Sequence, residues 1–303
     1  MAQQARLTKD QRREMAREMA RAEREKRQKA QARNRILVRV GATVGVLALL
    51  GGVAGGIWLA TRPAGPGPAN MASDGILFTG SGDEIKHVAT PGIPDGDDPV
   101  ATDPSNYAAP LHIVSYIDFG CPYCQQFELA NAEQIQELVA SGQATYEVHP
   151  INLLSGAFLG SKYSLRSANA GACVAAYEPD KFLDVSAALF ENQPSESTRG
   201  LTNGELVDLV KEAGVTAPEV DGCINGGEFQ GWVDAATERA LLGPLPNTEE
   251  PRVTGTPTIL VNGKRYQPTT SLADTAAFAA FVQSMLAATG DDADPTPTPT
   301  PTP

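Results

Sequence analysis

Two cysteines, Cys121 and Cys124, stand where a strand-like stretch of the chain passes into a helix-like one. The preceding residues, Leu111 to Phe119 (LHIVSYIDF), are dense in β-formers and free of helix or strand breakers, which predicts a buried strand. The following residues, QQFELANAEQIQELVASG, place apolar side chains at helical spacing until Gly142 ends the pattern. The pair is therefore predicted to lie at the N-terminus of a helix.

The elements after this junction indicate an α/β domain. Ala144 to Leu154 (ATYEVHPINLL) is predicted to be a second strand, so that strand, helix and strand form a βαβ unit with a parallel pair. Helical patterns then fill about residues 160–243, TPTILVNGKRY predicts a β-hairpin turning at Asn262-Gly263, and TAAFAAFVQSMLAATG predicts a closing helix. A short apolar piece, Gly75 to Phe78, is predicted to begin the folded domain.

Charge divides the chain into a basic beginning and an acidic remainder. Residues 1–39 carry 13 Lys/Arg against 5 Asp/Glu, and the remainder carries 11 against 31. Between them, the 22 residues 40–61 have no charged side chain. As a helix this run is about 33 Å long, which matches a hydrocarbon core of about 30 Å. A single membrane-spanning helix is predicted; a buried core helix and a cleaved signal peptide are the alternatives, and a signal peptide has a shorter apolar region.

The positive-inside rule sets the expected orientation. Residues 1–39 are predicted to be cytoplasmic, as a solvated helix or disordered tail and not a specific nucleic-acid site. Residues 62–73 are predicted to be a Pro/Gly-rich linker, residues 74–289 the folded domain, and residues 290–303 a Thr/Pro-rich disordered tail. All four cysteines then lie outside the cytoplasm, where disulfides persist.

The spacing and position of Cys121 and Cys124 favour redox chemistry. A helix N-terminus stabilises a thiolate, so Cys121 is predicted to be the exposed nucleophile and Cys124 the inward-facing resolving thiol. Pro122 at the first helical position needs no amide partner. The alternatives are half of a zinc site and a coincidental pair. Zinc requires a second Cys-x-x-Cys motif or a matching histidine pair. The other two cysteines lie 50 residues apart and the three histidines have no ligand spacing, so no metal is predicted.

The other two cysteines, Cys173 and Cys223, both fall in the helical stretch. The prediction is a structural disulfide that closes a loop of 51 residues and contributes about 4 kcal/mol to stability in the chain-entropy model. A second redox pair is the alternative, although neither cysteine begins a helical pattern. Two free thiols outside the cytoplasm are disfavoured.

Thr256-Pro257 opens the late strand in VTGTPTILVNG. In a chain that already has the Cys121 pair, this context favours a cis peptide bond over an ordinary trans proline at a strand start. A cis bond would turn the Thr256 backbone towards the cysteine sulfurs, where it could pair with an extended substrate.

With these elements together, the chain resembles the DsbA family of thiol:disulfide oxidoreductases, closest to the membrane-anchored proteins of Gram-positive and actinobacterial type. The resemblance covers residues 74–289 and rests on FGCPYCQQFE, the helical insertion with its own cysteine pair, and GTPTILVNG. It implies a thioredoxin fold with a helical insertion. It also implies that Cys121 attacks and Cys124 resolves, with Pro122, Tyr123, Thr256 and Pro257 supporting them.

Two positions depart from the family pattern. Strongly oxidising members have histidine where this chain has Tyr123, so a milder oxidant is expected. Many thioredoxin-fold proteins place a buried acid, a proton relay, where this chain has Ser115. Asp118 and Glu128 are the candidate substitutes, and the sequence leaves both open, along with the possibility that they are solvated surface carboxylates.

The resemblance implies an extracytoplasmic enzyme that introduces disulfides into exported, unfolded proteins and needs no cofactor beyond its own redox-active disulfide. A membrane quinone enzyme, of the DsbB or vitamin K epoxide reductase type, is the expected reoxidant. One alternative is a reductase or isomerase kept reduced by a membrane electron donor. The other is a non-catalytic chaperone or binding module. A monomer is expected.

Overall fold

The computed structural model describes residues 65–82 and 84–291 of the chain. The predicted basic segment (1–39), the predicted membrane span (40–61) and almost all of the predicted tail lie outside these residues. Within the described ranges, every helix is too short or too polar to cross a bilayer.

Six strands and seven helices are found in the described part of the chain. The strands are β1 (Ile76–Ser81), β2 (Glu84–His87), β3 (Leu111–Ile117), β4 (Ala144–Pro150), β5 (Thr258–Val261) and β6 (Lys264–Arg265). The helices are α1 (Pro122–Ala140), α2 (Tyr163–Tyr177), α3 (Phe182–Glu191), α4 (Asn203–Glu212), α5 (Glu219–Gly226), α6 (Gln230–Leu242) and α7 (Thr275–Asp291).

The strands form one sheet in the order β2-β1-β4-β3-β5-β6. Strands β3 and β4 are parallel, with Leu111 opposite Ala144, and α1 connects them, so the predicted βαβ unit is confirmed. The other pairs are antiparallel. All seven residues of β4 are buried, because β4 lies inside the sheet and both its faces are covered. Helix α1 packs against β1 and β4.

The predicted hairpin between β5 and β6 is confirmed. Val261 pairs with Lys264, and the turn residues Asn262 and Gly263 have positive φ angles of 48° and 74°. Positive φ at both central residues is what a two-residue turn of the I′ type requires, and Asn-Gly supplies it at low cost. The hairpin between β1 and β2 was not predicted, because β2 is four residues long and alternates exposed with half-buried side chains.

Helices α2 to α6 form the insertion between β4 and β5. Four of the five follow the predicted helical patterns, but α5 was missed. It has eight residues, two of them glycines, and only a short apolar face. A helix of this length is marginal alone and forms here through tertiary packing.

The assignment of residues 62–73 to an unpacked linker is wrong for its second half. Met71 is fully buried, the Gly67 N–H donates to the Ile93 carbonyl at 2.8 Å, and Asn70 Nδ2 donates to the Ala175 carbonyl at 2.8 Å. The segment lacks large apolar side chains, but a β-carbon on Gly67 would lie 3.0 Å from the Trp232 ring. Small residues therefore let the backbone itself pack. At the other end, α7 continues to Asp291, beyond the predicted boundary at 289.

Cys173 of α2 and Cys223 of α5 form a disulfide, with a Cα–Cα distance of 5.9 Å and a sequence separation of 50. Both residues are buried in the insertion. The bond joins the short helix α5 to the long buried helix α2.

Replacing both Cys173 and Cys223 by alanine is expected to lower the free energy of unfolding by about 4 kcal/mol, since the unfolded chain then regains the entropy of a long open loop. Urea denaturation of the oxidised parent and of the double variant measures the difference. As a control, the equilibrium of the Cys121–Cys124 pair with glutathione should not change. Equal unfolding midpoints in the two proteins would contradict the prediction.

Candidate active site

The turn between β3 and α1 places Cys121 at the start of the helix. Cys121 is the N-cap of α1 with an extended backbone (φ −86°, ψ 119°), and Pro122 is the first helical residue. The Cys121 N–H donates to the Asp118 carbonyl at 2.9 Å. A β-carbon on Gly120 would lie 2.7 Å from the Phe158 ring, so the turn accepts only glycine at that position without a shift of the ring.

Several hydrogen bonds stabilise the thiolate of Cys121. The largest contribution comes from the Cys124 thiol, followed by the Thr256 side chain and the backbone N–H groups of Cys124 and Tyr123, and burial opposes them. Together they lower the pKa of Cys121 to about 6. The two backbone donors are free N–H groups in the first turn of α1, which is the helix-terminus effect expected from the sequence.

Cys124 is in the opposite electrostatic situation. Its side chain is fully buried, and burial, followed by the hydrogen bond to Cys121, raises its pKa well above the ordinary thiol value. The Asp118 N–H lies 3.5 Å from its sulfur. Both cysteines are free thiols in the structure. At neutral pH the pair therefore contains one ionised sulfur and one protonated sulfur.

The prediction that Cys121 is exposed is wrong. Only 5% of Cys121 is accessible, whereas its neighbour Tyr123 is 61% exposed. The cause is the segment before β5, whose Thr256 carbonyl lies 3.3 Å from the Cys121 sulfur and accepts its S–H when the thiol is protonated. A partner must approach this sulfur along the Thr256 backbone.

The Thr256-Pro257 peptide bond is cis, the conformation that the sequence context favours. Strand β5 begins at Thr258, which pairs with Tyr116 near the end of β3, and this pairing brings Thr256 alongside the cysteine turn. A second cis bond, Gly243-Pro244, was not predicted.

Asp118, one of the two candidate relay acids, stabilises the turn between β3 and α1 by hydrogen bonds. Its carboxylate accepts hydrogen bonds from the Gly120 N–H at 2.7 Å, the Leu154 N–H at 2.8 Å and the Ser164 hydroxyl. Burial raises the pKa of Asp118 in spite of these donors. The neighbouring donors thus occupy both carboxylate oxygens, and the side chain fixes the backbone ahead of Cys121.

Glu128, the other candidate, lies one helical turn beyond Cys124 on α1. Tyr146 donates its hydroxyl hydrogen towards Glu128 Oε1 at 3.2 Å, and its oxygen is also 3.2 Å from the Ser115 hydroxyl. Burial raises the pKa of Glu128 to about 7, against the lowering effect of Tyr146. Ser115 stands at the position of the family acid, so the Tyr146 contact connects that position to a carboxyl on the helix.

A cavity of about 200 Å³ between α1 and α3 is lined by Glu128, Tyr146 and Phe190, among others. Glu128 thus lines this cavity although only 7% of the residue is accessible to solvent. A carboxyl with a pKa near 7 can accept or release a proton at neutral pH.

Replacing Glu128 by glutamine is expected to stabilise the protein above pH 7 and to change little at pH 5. The folded pKa of about 7 is above the ordinary value, so the folded state loses stability as the pH rises through this window, by about 3 kcal/mol in total. Glutamine copies the neutral carboxyl and removes this loss. Denaturation of both proteins at pH 5 and pH 8.5 tests the prediction, and an equal difference at the two pH values would contradict it.

A larger cavity of about 450 Å³ contains neither cysteine of the pair. Tyr116, His149, Arg239 and Leu245 are among its lining residues. Tyr116 and Leu245 belong to an apolar cluster separate from the one that contains Cys121 and Cys124. Within the described ranges, no three His, Cys, Asp or Glu side chains are arranged to hold a metal ion.

The structure thus brings Cys121, Cys124, Tyr123 and Thr256-Pro257 to one site and leaves Cys173 and Cys223 apart from it. Three contributors were missed from the sequence, namely Phe158, Ser164 and Gln193. Gln193 donates from Nε2 to the Phe119 carbonyl at 2.9 Å and to the Cys121 carbonyl at 3.1 Å. No local pattern marks these residues, because each comes from a segment distant in sequence.

The chain is similar to known proteins in both sequence and fold. A model of the thioredoxin family matches residues 105–283, more than half of the chain. Disulfide bond formation protein D of Bacillus subtilis (strain 168) is 32% identical over 112 residues, which are 37% of this chain and 48% of that protein. The match therefore spans about half the length of this curated relative.

Two solved structures have a similar fold. Reduced DsbA from Mycobacterium tuberculosis is 26% identical with a TM-score of 0.51, covering 73% of this chain and 100% of that one. Oxidised BdbD from Bacillus subtilis is 23% identical with a TM-score of 0.50, covering 75% and 100%, and at this identity it supports the fold alone. The chain belongs to the thioredoxin family, and within that family it is similar to DsbA-like thiol:disulfide oxidoreductases.

Proposed function

We propose that this chain oxidises the cysteines of newly exported, unfolded proteins with its Cys121–Cys124 disulfide. The observation that carries the proposal is the opposite ionisation of the two thiols, with the pKa of Cys121 lowered to about 6 and that of Cys124 raised. The sulfur with the lower pKa is the better leaving group, which favours passing the disulfide on to a client.

The exchange balances in two steps. A client thiolate attacks the Cys121 sulfur of the enzyme disulfide, which forms a client–Cys121 bond and releases Cys124 as a thiolate that takes up a proton. A second client thiolate then attacks the client sulfur of that bond and displaces Cys121 as a thiolate. The client loses two electrons and the enzyme pair gains them, with no metal or organic cofactor.

The Thr256 backbone supports an extended client as the substrate. Its carbonyl lies 3.3 Å from the Cys121 sulfur, in the segment just before β5, so an extended client that pairs with this segment brings its cysteine to the reactive atom. Tyr123 is 61% exposed beside the site and offers an apolar surface to an unfolded chain.

The proposal includes a membrane anchor. The uncharged run at residues 40–61 and the basic segment at 1–39 support a single-pass protein whose N-terminus is cytoplasmic and whose catalytic domain is extracytoplasmic. Such an anchor holds the domain at the membrane surface, beside a quinone-linked reoxidant of the DsbB or vitamin K epoxide reductase type.

Redox titration of the full-length protein against glutathione tests the direction of the reaction. An oxidase is expected to have a potential less negative than about −200 mV, nearer to the −120 mV of DsbA than to the −270 mV of thioredoxin. A reduction potential close to about −270 mV would overturn the proposal of an oxidase and would favour a reductase or isomerase kept reduced by a membrane electron donor. If Cys121 and Cys124 form no disulfide at any ratio of oxidised to reduced glutathione, a chaperone or binding module is favoured.

A further inference from the structure

We infer that Gln193 is a positioning residue for the reactive cysteine, through which the helical insertion controls the ionisation of Cys121. The inference rests on the proposed role of Cys121 as the reactive sulfur. It concerns a residue two positions beyond the end of α3, in a segment distant in sequence from the cysteine pair.

The contact is made by one amide group. Gln193 Nε2 donates to the Phe119 carbonyl at 2.9 Å and to the Cys121 carbonyl at 3.1 Å. These carbonyls flank Gly120, so the two hydrogen bonds span the turn that presents the sulfur. In the part of the chain that the structure describes, Gln193 is the only hydrogen-bond partner of the Phe119 carbonyl.

The opposite side of the same turn is also held from outside. The Asp118 carboxylate accepts from the Gly120 N–H, and the Ser164 hydroxyl of α2 donates to the same carboxylate. The insertion therefore contacts the turn in two ways. Ser164 hydrogen-bonds to the Asp118 carboxylate, which holds the Gly120 N–H, and Gln193 hydrogen-bonds directly to the Phe119 and Cys121 carbonyls. With both sides held, the Cys121 sulfur stays over the first turn of α1.

Losing the Gln193 amide is expected to raise the pKa of Cys121 for two reasons. The amide hydrogens carry partial positive charge that offsets the negative ends of the Phe119 and Cys121 carbonyls, and this favours the ionised form of Cys121. Among the described residues, the Phe119 carbonyl is then left without a donor, whereas the Cys121 carbonyl still accepts the Gln125 backbone N–H at 3.1 Å. The start of the turn is therefore free to rotate, which moves the sulfur away from the backbone N–H groups at the helix start.

The chain provides a matched control in Gln125. Gln125 Nε2 on α1 donates to the Phe190 carbonyl at the end of α3, at 2.7 Å. Both glutamines thus join α1 or its preceding turn to the same region of the insertion. Of the two side-chain amides, only that of Gln193 donates to the carbonyls of the cysteine turn; the Gln125 backbone N–H, which donates to the Cys121 carbonyl at 3.1 Å, is kept in Gln125→Met. The two replacements therefore separate positioning of the turn from attachment of the insertion.

The experiment compares Gln193→Met and Gln125→Met in the full-length protein. Methionine keeps the length of the side chain and removes both amide donors. Thiolate absorbance against pH gives the pKa of Cys121 in the reduced proteins, and equilibration with glutathione gives the oxidation constant of the pair. Thermal unfolding reports what each replacement costs in stability.

Gln193→Met is expected to raise the pKa of Cys121 by about half a unit to one unit, the size expected for one or two neutral hydrogen bonds. The glutathione equilibrium should move about threefold to tenfold towards the oxidised pair. Gln125→Met should leave both values at the parental level, even where it lowers the melting temperature. Gln193→Lys, which restores a donor, should keep the pKa at or below the parental value.

The inference is overturned if Gln193→Met has the parental pKa and equilibrium constant, or if Gln125→Met shifts them equally. If Gln193→Met does not fold, Gln193→Lys decides alone, and a raised pKa in that variant overturns the inference. A parent protein whose Cys121 titrates like an ordinary thiol would instead refute the proposed function. The two failures are therefore distinguishable.

Discussion

Cys124→Ala is expected to accumulate covalent complexes with disulfide-containing clients, whereas Cys121→Ala should form none. The Cys121 thiolate attacks a client disulfide and forms a mixed disulfide. In the parent, Cys124 attacks that bond and releases the client, so removing Cys124 should extend the life of the complex by at least about a hundredfold. Non-reducing electrophoresis after an acid quench measures the complex.

The two cysteines are unequal in this test because their environments differ. Cys121 has a pKa of about 6, while Cys124 is fully buried with a raised pKa. In Cys121→Ala the remaining thiol is therefore both protonated and inaccessible. A control protein carries Cys173→Ala and Cys223→Ala in addition to Cys124→Ala. It tests whether clients are captured through the structural pair. Equal trapping by both single variants would contradict the assignment of Cys121 as the attacking and Cys124 as the resolving cysteine. Trapping by neither variant would favour a binding module.

Alkylation of the reduced protein by iodoacetamide is expected to rise about tenfold per pH unit up to about pH 6 and then level off. Only the thiolate reacts, and Cys121 has a pKa of about 6. At pH 7 about 90% of Cys121 should be ionised, against about 1% of a thiol with an ordinary pKa near 9, so the advantage in reactive fraction approaches a hundredfold. Stopped-flow or timed-quench mass spectrometry at Cys121 gives the profile.

The same ionisation predicts how the redox states differ in stability. The folded pKa of Cys121 is below its ordinary value, so the reduced state gains stability from this thiolate above pH 6, fully by pH 9, and loses it as the pH falls through 6. The oxidised state has no such group. When both states are unfolded at pH 5 and at pH 8, the free energy of unfolding of the reduced state should rise with pH relative to that of the oxidised state. Cys121→Ser has neither the disulfide nor the ionisation, so its free energy of unfolding should change between pH 5 and pH 8 as that of the oxidised parent does. A midpoint near pH 9 in the parent alkylation profile would contradict both expectations.

Local sequence patterns were sufficient to predict an element where the conformation of a short segment depends on its own residues. The strand Leu111–Ile117, the helix after Cys121 and the Asn262-Gly263 turn depend on periodicity and on backbone preferences of a few adjacent residues. The same locality explains why the βαβ unit was predicted correctly. It also explains the error at α5, where eight residues with two glycines carry too weak a helical pattern.

What the sequence by itself determined is the order of strands and helices and the place of the cysteine pair, because hydrophobic period, glycine and proline act over a few residues. Only the tertiary structure showed the different surroundings of Asp118 and Glu128, the cover of Cys121 by Thr256, the burial of Met71 and the contact of Gln193 with the turn. Burial and hydrogen bonding join residues tens of positions apart. They also set the pKa values, so the site's chemistry depends on distances that no local pattern contains.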